Sequence, residues 1–180
     1  MKKIIISVII TLVCAAAGYF GYGYMLDKNI TDSSHWKKFY NDEFSVVLPK
    51  NMESSDKLFH TSDGQKQIAF YHNSRACFSV AKLPYSVNAA LKDIDLEKYF
   101  SKITVNGEHL TLFPINGGFY YTSIKKSSGS FKKTEDVFEI EGAFKGKTAV
   151  YSVVIQCRLE DKDEYEDPML KWLESFELKG

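Results

Sequence analysis

An α+β fold built on a largely antiparallel sheet is the class this sequence predicts, and three observations predict it. Short runs rich in Val, Ile, Phe and Tyr recur between turn residues from Trp36 onward, as half-buried strands do. The longest run, Thr148 to Leu159, alternates Tyr151, Val153, Ile155, Cys157 and Leu159 on one face with Val150 and Val154 on the other, so the sheet is covered on both sides. Near the C-terminus Tyr165, Met169, Trp172, Leu173 and Phe176 follow at spacings of 4, 3, 1 and 3, the stripe of a helix laid on a sheet. Together these predict a three-layer α/β/α sandwich, preceded by an N-terminal transmembrane helix.

That helix is read from the first 26 residues. Lys2 and Lys3 precede an apolar run from Ile4 to Leu26, which as a helix rises about 34 Å, enough for a hydrocarbon core of about 30 Å. An uncleaved signal anchor leaves both lysines in the cytoplasm and Tyr19, Tyr22 and Tyr24 at the far headgroup zone. Two other readings stay open. Ala15-Ala16-Ala17 before Gly18 fits signal-peptide cleavage, and Thr11-Leu12-Val13-Cys14 is a loose lipobox that makes Cys14 a candidate for lipidation. Each of the three exports the rest of the chain. Asp27 to His35 reads as a polar tether, and residues 36–180 as one exported domain, a size that suits a single core.

Trp36 to Tyr40 and Phe44 to Leu48 read as a hairpin around Asn41-Asp42-Glu43, closed off by Pro49. Strands follow at Lys57 to Thr61, Gln67 to Tyr71 and Cys77 to Leu83. From Val87 to Ile103 the period lengthens to three or four, giving a broken helical region with Asp95 capping its second part and Asn106-Gly107 ending it. Leu110 to Phe113, Phe119 to Lys125 and Val137 to Phe144 are the next strands, the first two joined by Asn116-Gly117-Gly118. Gly117-Gly118 and Gly142 to Gly146 read as hairpin glycines at positive φ. Lys145-Gly146-Lys147 turns into the long strand. Asp167 then reads as an N-cap, with Pro168 at the first helical position.

Trp36-Lys-Lys-Phe-Tyr40 followed by Phe44-Ser-Val-Val-Leu-Pro49 resembles the opening hairpin of PsbP-like domains, the Mog-type and bacterial DcrB-type proteins among them. Met169-Leu-Lys-Trp-Leu-Glu-Ser-Phe176 resembles their final helix and its exit into a last short strand. The resemblance spans about residues 36–178. It implies an α/β/α sandwich used as a non-catalytic binding or assembly module, with no shared catalytic residues to carry over.

The residues themselves show no catalytic constellation. Removing Lys2, Lys3 and Lys28 from 23 basic residues, and Asp27 from 23 acidic ones, leaves 20 against 22 beyond residue 30. That balance argues against a nucleic-acid partner. His35, His60, His72 and His109 lack metal-ligand spacing, no Gly-x-Ser-x-Gly elbow occurs, and no cofactor is expected. Glu160, Asp161, Asp163, Glu164, Glu166 and Asp167 crowd eight positions. Asp161-x-Asp163 resembles the start of a calcium loop, but Glu166 stands where its glycine belongs and Trp172 where its closing Glu belongs. A solvated loop offsetting a helix dipole is the reading preferred to a metal site. Lys125-Lys126 through Lys132-Lys133 reads as an exposed hairpin tip. Cys77 and Cys157 are the one pairing open to the exported domain, either a disulfide or two buried thiols.

The expectation is therefore a protein-binding module anchored by residues 4–26 in the inner membrane of a bacterium, single-pass, with its domain on the periplasmic side. An immunity or secretion/assembly factor is its sharper form. The alternative is a small-ligand or lipid-binding envelope protein with a pocket between sheet and helix. An enzyme ranks third, because it needs a convergent base, nucleophile or metal.

Overall fold

Asn41 closes the first hairpin as expected: its side-chain oxygen accepts from the backbone N–H groups of Glu43 (2.8 Å) and Phe44 (2.9 Å). The two strands it joins are β1, Trp36–Tyr40, and β2, Phe44–Pro49. They belong to a computed structural model that describes residues 28–56, 65–101, 104–105, 108–126 and 136–179. The proposed span 4–26 with Cys14, the strand expected at Lys57 to Thr61, His60, Asn106-Gly107 and the basic tip beyond Lys126 lie outside the described residues.

The remaining strands are β3 (Glu53–Ser54), β4 (Lys66–His72), β5 (Ala76–Pro84), β6 (Thr104–Val105), β7 (Glu108–His109), β8 (Phe113–Ile115), β9 (Gly118–Lys126), β10 (Asp136–Lys145), β11 (Ala149–Arg158) and β12 (Glu177–Leu178). Seven form one antiparallel sheet in the order β3-β4-β5-β11-β10-β9-β8, β1-β2-β12 form a second, and β6-β7 a small ladder. Between β5 and β6 lie a 3-10 turn, Ala89–Lys92, and helix α1, Leu96–Phe100. Asp95 caps α1 as predicted, accepting from Lys98 N–H at 3.2 Å. Helix α2, Lys162–Glu174, follows β11.

The α+β class therefore stands, with one face of the large sheet covered in a way the periodicity did not reveal. Ala76, Phe78 and Val80 of β5 align with Cys157, Ile155 and Val153 of β11, which align in turn with Phe138, Ile140 and Gly142 of β10. On this face lie α2 and the three-stranded sheet together. Phe44, Val46 and Leu48 of β2 and Tyr165, Met169, Trp172 and Leu173 of α2 are fully buried. Phe176 wedges between Phe44 (5.2 Å) and Phe144 (4.8 Å). Gly142 serves this packing: a Cβ there would stand 2.8 Å from Leu173 Cδ1. Its role is close approach, and Gly117 is the one described glycine at positive φ, where the two-residue Asn116-Gly117 turn requires it.

Three further expectations need correction. Helix α2 begins at Lys162, not Pro168, and Pro168 sits inside it. Starting early buries Tyr165 in the stripe and puts Asp163 and Glu164 in the first turn, where negative charge offsets the dipole; the cost is the one hydrogen bond proline cannot donate. The segment read as a tether is also folded where described. Residues 28–31 are helical, Ile30 is fully buried in the core, and the Trp36 indole N–H donates to its carbonyl at 3.0 Å. The strand expected from Leu110 starts at Phe113, as an edge strand that tolerates Pro114.

Candidate functional site

Between α2 and the large sheet Tyr165, Met169, Trp172 and Leu173 are fully buried. Two cavities bordered by described residues lie among the turns. One of about 400 Å³ borders Arg158 and Glu160 at one end of the large sheet. A larger one, about 600 Å³, opens at the other end, between the Asp42-Glu43 turn, the Lys145–Thr148 turn and the β12 exit at Lys179.

Glu43 lines this larger cleft. Lys82 pairs with its Oε1, and the Tyr151 hydroxyl donates to its Oε2 at 2.8 Å. Partial burial opposes its ionisation, but the Lys82 and Tyr151 hydrogen bonds, with the charges of Lys82 and Lys66, outweigh it and hold the carboxyl below its ordinary value of 4.5. A group more acidic when folded adds stability that is complete above the ordinary carboxylate range and is lost as pH falls through the folded value. Glu43→Gln is therefore expected to lower the melting temperature at neutral pH and to flatten its decline below about pH 4.5. Parallel melting curves against pH for the two proteins would contradict this.

The opposite face of the large sheet is polar. Glu139 is 3% exposed; Lys125 Nζ pairs with its Oε1 and lies 3.8 Å from Glu141 Oε2, while Gln156 donates to Glu139 Oε2 at 2.6 Å. Tyr121 and Ser152 both donate to Glu141. Burial, then the Glu141 charge, push the Tyr121 phenol far up, so this side chain acts as a donor only. Two carboxylates engaged by one ammonium, two hydroxyls and an amide make a ladder that fixes the register of β9, β10 and β11. The covering of both faces expected from the alternation of β11 fits the burial of Glu139, but no motif in the sequence singles out Glu139 or Glu141.

The structure separates the residues singled out by sequence. Asp161 turns inward, 3.8 Å from Arg75, whereas Asp163 is exposed on the first turn of α2, so the two do not converge. Among the described residues no group of three or more His, Cys, Asp or Glu could hold a metal ion. His35 lies 3.9 Å from Asp32, and His72 stacks on Phe70. Cys77 pairs in register with Gln156 and Cys157 with Ala76. The two thiols thus stand on opposite faces of the sheet, and the disulfide is not formed. Cys157 is fully buried and its thiol is pushed up to about 12, chiefly by burial. Peptide mapping without reductant should find no Cys77–Cys157 crosslink; finding one would overturn the register of β5 and β11.

A last surface concerns the sheet edge. β8 pairs with β9 only through Gly118, Phe119 and Tyr120, and beyond Tyr120 no described strand borders β9 on that side. Phe113, 41% exposed, stacks on Tyr120, and Ile124 further along is 47% exposed. Among the described residues, no helix is long and apolar enough to cross a membrane.

No protein-family model matches this chain, and no curated protein matches it. Among solved structures it is similar to a protein from Bacteroides thetaiotaomicron VPI-5482, at 11% identity and a TM-score of 0.46, over 81% of this chain and 49% of that one. The chain thus spans about half the length of that protein. It is similar also to the Saccharomyces cerevisiae Ran-binding protein Mog1p, at 12% identity and a TM-score of 0.41, over 79% of this chain and 95% of that one. A mutant of protein Mog1 matches at 12% identity and 0.42 over the same shares. None of these likenesses carries a residue's role to this chain.

Proposed function

We propose that this chain is a PsbP-like binding domain, of α/β/α sandwich type, held at the outer face of a bacterial inner membrane by residues 4–26, and that it captures a protein partner. The observation that carries the reading is the edge of β9. Tyr121–Lys126 extend past β8, so backbone groups directed away from β10 face no described strand. Such an edge templates pairing with another chain. Ile124 adds an exposed apolar anchor, which interfaces favour. The apolar run from Ile4 to Leu26 supports the anchoring, and the opening hairpin and final helix support the family resemblance. An immunity factor or an assembly factor of the envelope fits this placement, and a neighbouring toxin gene or secretion operon would distinguish the two.

The test is a photocrosslinking residue placed at Ile124 of the full-length chain in the cells that make it, with Val87, 58% exposed, as the control position. A discrete protein adduct in the membrane fraction from position 124 and none from 87 is the expected result. Equal adducts from both positions, or none from either, would contradict capture at the β9 edge.

A further inference from the structure

We propose that the cleft between the Asp42-Glu43 turn and the Lys145–Thr148 turn is a receptor for a small oxyanion carrying two or more negative charges, supplied by a phosphate or by two or more carboxylates. Lys82, Lys145, Lys147 and Lys179 border it against Asp42 and Glu43, four cations against two anions. Both oxygens of Glu43 are engaged, by Lys82 and by Tyr151, so its charge is taken up within the wall. Lys145 donates to the Ile94 carbonyl at 3.0 Å, and Lys179 to the Asn41 carbonyl. A carbonyl positions an ammonium group without cancelling its charge; Lys145 keeps two further donors, and the Lys179 ammonium also lies over the Tyr40 ring, 5.4 Å from its centroid, which leaves its charge in place. Among the described residues, neither these two lysines nor the exposed Lys147 forms an ion pair. An uncompensated positive cleft of this kind concentrates anions.

The walls are cross-tied, which distinguishes them from a loose lysine surface. The Lys179 backbone N–H donates to the Glu43 carbonyl at 2.8 Å, joining the C-terminal exit to the β1–β2 turn. Tyr85 holds the opposite wall twice, through its hydroxyl to the Gly146 carbonyl (2.9 Å) and its N–H to the Thr148 carbonyl (2.9 Å). Gly146 N–H donates to the Ala149 carbonyl at 2.9 Å, closing the turn. Walls fixed in advance lower the ordering cost of binding. A volume of about 600 Å³ admits a small polyanion or the side chains of an acidic segment.

The experiment uses the full-length chain in non-ionic detergent, following the backbone amide signals of Gly146, Lys147 and Thr148. Inorganic phosphate, succinate and chloride are titrated at matched ionic strength. Saturable shifts with phosphate or succinate, absent with chloride, are expected. The tighter of the two anions assigns the source, phosphate compounds or carboxylates including acidic side chains. Lys147→Ala with Lys179→Ala should weaken binding by at least about fivefold. Lys147→Glu, at an exposed position, replaces that pair if the double variant fails to fold. No saturable response to either anion, the same response to chloride, or wild-type affinity in a folded variant would overturn the proposal.

Discussion

Trp172→Ala is expected to cost about 3–5 kcal/mol of stability, out of the roughly 5–15 kcal/mol available to a domain of this kind. Trp172 is the largest of the fully buried side chains. It meets the edge of Trp36 at 6.0 Å with the rings 77° apart, and so links α2 to the three-stranded sheet. Removing it opens a cavity where α2 and that sheet meet, and the rigid strands around it cannot collapse to fill the space. For about 150 residues the drop in melting temperature is roughly 10 °C or more. Trp172→Phe should cost much less, because the indole N–H finds no acceptor among the described residues and its loss leaves no carbonyl unpaired. A Trp172→Ala melting temperature within a few degrees of wild type would mean that this side of α2 does not face a core.

The second large effect is expected at Lys125. Its ammonium is the counter-charge for Glu139, whose side chain is 4% exposed. Lys125→Ala leaves that carboxylate with Gln156 as its remaining described donor. The expected loss is about 2–3 kcal/mol, short of the roughly 3–5 kcal/mol for a fully buried pair because Lys125 is itself partly exposed. Adding Glu139→Gln to Lys125→Ala removes the orphaned charge and should recover most of the loss, a coupling that a double-mutant cycle measures by denaturant unfolding. Strictly additive losses would show that the two groups do not depend on each other.

Most strands were legible because alternation is a local signal. β5, β9 and β10 run one residue past each end of the stretches that periodicity marks, and β11 stops one residue short at each end. What the pattern could not reveal is which strands share a sheet. β2 pairs with β12, Ser45 opposite Glu177, across most of the chain, and no spacing rule links them. The start of α2 was misread because Asp167-Pro168 is a strong local cue for a helix N-terminus, whereas burial of Tyr165 sets the real start. The ladder β6-β7 went unseen because two-residue strands carry no period. The cleft is the hardest feature to foresee: residues 42–43, 82, 145–148, 151 and 178–179 meet only after both sheets form. Its single trace in the sequence is Lys145-Gly146-Lys147, read there as a turn.

Amide hydrogen exchange across β9 tests the central claim most directly. The full-length chain is measured alone and in the complex recovered by crosslinking at position 124. The account predicts that, in the complex, new protection falls on amides of Tyr121–Lys126 directed away from β10, while those bonded to β10 stay as they were. Unchanged exchange along β9 in the complex, or protection confined to another surface, would contradict capture by strand addition.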